Sequence, residues 1–221
     1  MRCADRFAIG VVLFAALASG CATPPGDRRS AAPSAAPSAA KAAMKPAAPP
    51  EAPVSPALQQ AYDQALAHLK AGRGKEAEQA LLALTKRAPE LSGPYANLGV
   101  VYHHSGRTKE AIEALNRAIQ LNPRRAVYYN ELGIVYRQEG KFDDARRQYR
   151  KALDADPDYA LAHLNIAILY DLYLQDPKEA LTHYQRYQQL LPAEDGVVAK
   201  WIIDLQRRIR PPERKPAKEN G

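Results

Sequence analysis

The sequence predicts an all-α fold: a solenoid of four helix pairs, closed by one capping helix and preceded by a disordered Ala/Pro-rich linker. Three observations carry the prediction. Residue types recur at a separation of 34 through the middle of the chain. In the two clearest repeats the recurring residues fall at i, i+3, i+4 and i+7, the spacing of one helix face. Of 18 prolines only six lie in residues 58–210, and four of these, Pro89, Pro123, Pro157 and Pro192, are spaced by 34, 34 and 35 residues.

Residues 1–20 read as a secretory signal peptide. Arg2 and Arg6 give a basic start, and residues 7–18 form an apolar run too short to span a bilayer comfortably. Ala18, Ser19 and Gly20 then precede Cys21. This arrangement resembles the lipobox of bacterial lipoproteins, with Ala18 where that family prefers Leu three residues before the cysteine. The resemblance implies cleavage before Cys21 and acylation of both its thiol and the new N-terminus. Ala22 and Thr23 stand where an inner-membrane retention signal usually has Asp, so the resemblance implies an outer-membrane lipoprotein facing the periplasm. Several acyl chains, at about 0.8 kcal/mol per buried methylene, make a stable anchor.

Residues 21–57 are then the acylated cysteine followed by a tether of Ala, Pro, Ser and Lys. Val54 is the one β-branched aliphatic residue there. Such a stretch cannot bury enough apolar surface to fold.

The repeat is clearest between residues 92–125 and 126–159. Tyr95 aligns with Tyr129, Leu98 and Gly99 with Leu132 and Gly133, and Tyr102 with Tyr136. Gly106 aligns with Gly140, Ala111 with Ala145, Leu115 with Tyr149, Ala118 with Ala152, and Pro123 with Pro157. Gly99 and Ala111 are small, which lets two helices approach closely. Gly106 supplies the turn between them, and Pro123 ends the second helix because it cannot continue the hydrogen-bond ladder. A two-helix unit cannot bury its own apolar face, so units must stack.

The pattern resembles the tetratricopeptide repeat (TPR), which implies a right-handed α-solenoid. Residues 58–91 make a degenerate first unit, with Gln64 in the Leu slot and His68 in the Tyr slot. Residues 160–192 make a fourth, with one inserted residue within 171–177. Tyr187 stands there in place of the usual small Ala, so looser packing or a rotation is expected. Residues 193–210 place Val198, Trp201, Ile202, Leu205 and Ile209 on one stripe, a capping helix. Pro211 and Pro212 end it, and 211–221 form a disordered tail.

Charge and cysteine usage narrow the function. The net charge is +7, but residues 58–210 hold 22 Lys and Arg against 19 Asp and Glu, a net of +3. Basic clusters at Arg124 and Arg125, at Arg146 and Arg147, and at Arg207 and Arg208 are interleaved with acids. Nucleic acid is therefore disfavoured as a partner. Cys3 and Cys21 both lie at the N-terminus, so the repeats have no disulfide framework or cysteine metal cluster. Ser92 and Ser105 sit in no nucleophile motif. His103 and His104 are adjacent on one helix and point about 100° apart, a poor geometry for a shared metal. Neither a catalytic set nor a cofactor is implied.

What remains is a groove. The resemblance implies that partners bind along first-helix positions of the concave face. Position 9 of each repeat places Leu66, Val100, Ile134 and Ile168 in an apolar ribbon. Asn97, Asn130, Leu164, Asn165, His103 and Arg137 flank it at positions 5, 6 and 12. The basic residues of the family's carboxylate clamp are absent. The reading is a non-enzymatic scaffold, a membrane-anchored periplasmic TPR lipoprotein binding a partner peptide in its groove. It resembles pilotin-like adaptors of pilus or secretion machines, or alternatively adaptors or regulators of peptidoglycan-modifying enzymes. Homodimerisation through terminal helices, with Trp201 as the residue to watch, is a further expectation.

Overall fold

Each repeat reverses on a residue with a left-handed backbone. Gly72, Gly106 and Gly140 have φ of 70°, 75° and 74°, a region L side chains avoid. The computed structural model describes residues 55–210. There the helices are α1 (Pro56–Lys70), α2 (Gly74–Arg87), α3 (Ser92–His104), α4 (Thr108–Leu121), α5 (Ala126–Gln138), α6 (Phe142–Ala155), α7 (Ala160–Leu169), α8 (Pro177–Leu190) and α9 (Gly196–Ile209). A π-helical turn, Tyr170–Leu174, continues α7. No strand occurs among the described residues. The signal peptide, Cys21, the linker before residue 55 and the tail at 211–221 lie outside the described residues. The sequence alone extends the tether through 57, but Pro56 and Ala57 form the first turn of α1. Pro56 suits that position, since its missing N–H would be unpaired there anyway, and Ser55 Oγ accepts from the Leu58 amide at 3.4 Å.

Consecutive helices pack antiparallel in pairs, and each first helix packs on the second helix before it. The small residues make this possible. A Cβ on Gly99 would lie 2.5 Å from Leu115 Cγ, and one on Gly133 would lie 2.5 Å from Tyr149 Cε1. Ala77, Ala111, Ala145 and Ala180, the matching small residues of the second helices, are 0 % exposed. The result is an all-α solenoid whose buried residues form two main clusters, one built by the first two pairs with α5 and one by the third and fourth pairs with α9.

The inserted residue of the fourth repeat is absorbed in the π-helical turn. In the first three repeats one turn-closing amide reaches back five residues. Arg73 N donates to His68 O (2.9 Å), Arg107 N to Tyr102 O (2.8 Å) and Lys141 N to Tyr136 O (2.9 Å). In the fourth, Asp176 N donates to Tyr170 O (3.0 Å), six residues back. Gln175 then occupies the slot of the earlier glycines, with φ 55°. Gly140→Ala is expected to cost about 1–2 kcal/mol, because it forces a Cβ into the left-handed region. Gln175→Gly should instead gain about 0.5–1 kcal/mol, less because glycine also loosens the unfolded chain. Urea denaturation followed by circular dichroism checks both signs.

Tyr187 is accommodated within the fourth pair. It is 3 % exposed, and its phenol donates to Asp195 Oδ2 at 3.3 Å. Asp195 in turn caps α9, accepting from the amides of Val197 (2.9 Å) and Val198 (3.2 Å). Gln188 clamps the backbone of Asp195 on both sides. Helix α9 packs on α8 as α3, α5 and α7 pack on the helices before them. Val198 and Leu205 are fully buried, and Trp201 lies against Tyr184 with ring centroids 5.5 Å apart. Among the described residues no helix is long and apolar enough to cross a membrane.

Candidate partner-binding site

The first helices α3, α5 and α7 approach one another more closely than the second helices do. That puts the first helices on the inner side of the superhelical curve, and their outward-facing residues line a groove. The apolar ribbon is graded along it. Leu66 and Val100 are half-buried and belong to no core cluster. Ile134 is half-buried and packs in part on the core built by the third and fourth pairs, and Ile168, 8 % exposed, is a member of that core. Leu164, beside it, is 3 % exposed. The accessible stretch therefore spans the first three pairs.

Polar rungs cross between neighbouring first helices at a separation of 35 residues. Asn97 Nδ2 donates to the Tyr62 hydroxyl at 2.6 Å and to Gly93 O at 3.1 Å. Asn165 Nδ2 donates to Asn130 Oδ1 at 3.0 Å, and both of these amides are buried. Asn130 Nδ2 reaches Glu131 Oε1 at 3.4 Å. Burial pushes the Glu131 carboxyl up to about 7, against a smaller opposing effect of that bond. His103 is half-buried; desolvation and its neighbour His104 hold its imidazole below the ordinary value, against Glu139. Arg137 turns toward Tyr149, and its buried Nε has no hydrogen-bond partner. At the start of the groove, Tyr62, Leu91, Arg125 and Tyr128 line a small pocket of about 130 Å³.

Of the predicted residues, the structure joins Asn130 with Asn165 and sets Val100 and Leu66 on the open face. It gives Asn97 a partner, Tyr62, that was not among them. Ile168, Leu164 and Asn165 are largely enclosed. Trp201 is packed inward on Tyr184; the exposed apolar residues of α9 are Val197 and Ile203, each 48 % exposed. Ile203 lies 35 residues after Ile168, the spacing of the fourth repeat. It borders a cleft of about 470 Å³ with Leu191 and Ile202. Among the described residues no group of three or more His, Cys, Asp or Glu side chains could hold a metal ion.

A second cluster lies behind the groove. His163 Nδ1 and His183 Nδ1 are 2.9 Å apart, and His163 Nε2 is 3.0 Å from Pro157 O. A carbonyl only accepts, so His163 carries its proton on Nε2 and accepts from His183 Nδ1–H. Tyr170 stacks on His183, Arg150 donates to the Tyr170 hydroxyl, and Arg186 pairs with Asp158 nearby. A second proton on His163 would sit on Nδ1 and face the His183 Nδ1–H, whereas one on His183 would sit on Nε2, away from the pair. Burial, and for His183 the neighbouring His163 and Arg150, hold both rings below their usual value, His183 down to about 4. The neutral pair therefore stabilises the fold fully above pH 6.5, and that contribution is lost as pH falls toward 4. A loss on the order of 2 kcal/mol, allowing for partial exposure, is expected between pH 7.5 and pH 4.5. His183→Leu should flatten that part of the urea-midpoint profile.

Family models described as tetratricopeptide repeat match residues 95–158, and residues 62–126 together with 130–195. No curated protein matches the sequence. Solved structures similar to this chain include PilF of Pseudomonas aeruginosa, at 20 % identity over 69 % of this chain and 68 % of that one, TM-score 0.63. A thermophilic TPR protein of Thermus thermophilus is similar at 25 % identity over 68 % and 81 %, TM-score 0.59. YrrB, described as a TPR protein with an unusual peptide-binding site, is similar at 23 % identity over 67 % and 75 %, TM-score 0.54. No catalytic family is among the family matches.

Proposed function

The chain belongs to the tetratricopeptide repeat family, and from that premise we propose a non-enzymatic scaffold that holds a partner polypeptide in its concave groove. The observation that carries this is the open ribbon of Leu66, Val100 and Ile134, flanked by polar groups of which Tyr62 with Asn97 and Asn130 with Asn165 are hydrogen-bonded across helices. Apolar anchors between fixed polar groups suit an extended or helical segment. The neighbour YrrB, whose description names a peptide-binding site, has the same fold.

In this reading Cys21 is acylated and tethers the solenoid to the outer membrane, on the periplasmic side. Such a tethered four-pair adaptor suits assembly of an envelope machine of pilus or secretion type. Its support is the Ala-Ser-Gly-Cys run at residues 18–21 together with the solenoid that follows.

The test uses the full chain. Cells carrying the wild-type protein and a Cys21→Ala variant are crosslinked, fractionated, and the tagged protein captured. The wild type is expected in the membrane fraction with one reproducible protein partner, and Cys21→Ala in the soluble fraction. A Cys21→Ala protein that stays wholly in membranes would overturn the anchor. A wild type that never retains a protein would overturn the scaffold.

A further inference from the structure

The rungs that cross the groove follow a rule, and one rung breaks it. Position 5 of one first helix meets position 6 of the next, 35 residues on. Tyr62 meets Asn97 and Asn130 meets Asn165, each pair hydrogen-bonded. The rung between them is Ala96 and Glu131. Alanine has no polar atom to offer, so Glu131 lacks the cross-helix partner its neighbours have. Its bond from the Asn130 amide beside it is a long one, 3.4 Å. A carboxylate can accept about four hydrogen bonds, so most of that capacity is unused.

No ion pair among the described residues answers the charge. Two arginines of the same first-helix region, Arg125 and Arg137, form no ion pair with it. Arg125 lies over the Tyr128 ring, 5.8 Å from its centre, and Arg137 turns toward Tyr149. Glu131 shares its helix stripe with Ile134, at i+3, and faces the stripe of Ala96 and Val100 on α3. An acidic acceptor thus sits in the middle of the open apolar ribbon. Glu131 is half-buried, and the desolvation weighs against its charged form, so an arriving cation would restore an interaction that the free protein lacks.

We propose that the groove recognises an apolar segment of a partner protein that carries one Lys or Arg, whose cation pairs with Glu131 while apolar neighbours rest on Leu66, Val100 and Ile134. This rests on the groove reading above and adds the partner's chemistry to it. The chain's own ends do not fit the same site. The tail at 213–221 has Arg214, Lys215 and Lys218 but no Leu, Ile, Val, Phe or Met, and residues 22–54 offer only Met44 and Val54 as large apolar residues. A buried cation pairs well with a carboxylate only if the rest of the contact excludes water, and the ribbon on both sides does that.

The test is selection of random twelve-residue peptides, displayed internally so that no free amine is present, on the detergent-solubilised full chain. Peptides selected by the wild type are expected to share a basic residue at one distance from their apolar anchors. Replacing it by Gln should weaken binding about 10- to 100-fold to the wild type but less than about 3-fold to Glu131→Gln. Gln keeps the shape and the Asn130 contact, and melting curves of the variant confirm its fold. Wild-type binding of the basic peptides should also weaken as pH falls from 8 to 6, and Glu131→Gln binding should not. Peptides that lose binding on Val100→Glu but share no basic residue would overturn this inference and leave the groove reading standing. So would Glu131→Gln selecting the same basic residue. Peptides indifferent to Val100→Glu, or no selected peptides, would overturn the groove reading itself and this inference with it.

Discussion

Val100→Glu is expected to weaken partner binding by roughly 100-fold or more and to leave the solenoid folded. Val100 is half-buried on α3 and belongs to no core cluster, so the free protein keeps the new carboxylate in water. In the complex that carboxylate would be desolvated with no cation of its own, beside Glu131. An unpaired buried charge costs several kcal/mol, and each 1.4 kcal/mol is tenfold in affinity. Neighbouring positions report less cleanly. Ile134 packs partly on the core, and Ile168 is 8 % exposed within it, so a charge at Ile168 would unfold the fourth pair and remove binding for the wrong reason. Titration of the captured partner onto wild type and Val100→Glu, with melting curves of both, checks the claim. An unchanged affinity at an unchanged melting temperature would take Val100 out of the interface.

Tyr149→Ala is expected to cost about 3–5 kcal/mol, the range for deleting a large buried side chain. The ring is 0 % exposed and rests against Gly133, where a Cβ would stand 2.5 Å from it. Glycine there is the complement of tyrosine here, so the cavity left by Ala cannot close cheaply. Tyr149 lies in the third pair, between the second and the fourth, and solenoid stability depends on each neighbour interface. The variant should therefore unfold at lower urea and over a broader transition, as the two ends uncouple. Tyr149→Phe is the control. The hydroxyl is buried with no partner at hydrogen-bond distance and with Arg137 beside it, so removing it should change stability by less than about 1 kcal/mol. A loss below about 1 kcal/mol for the Ala variant would contradict this picture of the core.

The fold was legible because its physical causes repeat. Gly99 and Gly133 mark where helices touch, Gly106 and Gly140 where the chain turns, and each does so at the same spacing. The extra residue of the fourth repeat was also visible, within 171–177, but not its form. A shift of one residue in an alignment does not say whether a loop lengthens or a helix takes up a π-helical turn. Hydrogen bonding decides that, through Tyr170 O and Asp176 N. The groove was legible as a face and not as a surface. Periodicity places Leu66, Val100, Ile134 and Ile168 on one row. How much of the row is open depends on how the fourth pair and α9 close over it. Glu131 carried no signal by itself, since its isolation comes from Ala96 on another helix. The contact of His163 with His183 is likewise made by packing between helices, 20 residues apart in sequence and outside any helical spacing.

The central claim is that the concave face, and not the outer one, holds the partner. Site-specific photocrosslinking in cells tests it most directly. A photoreactive side chain is placed at Leu66, at Val100, or at Glu113, which is exposed on α4. The same covalent adduct is expected from Leu66 and Val100, and none from Glu113. An adduct from Glu113 with none from the two groove positions would contradict the claim.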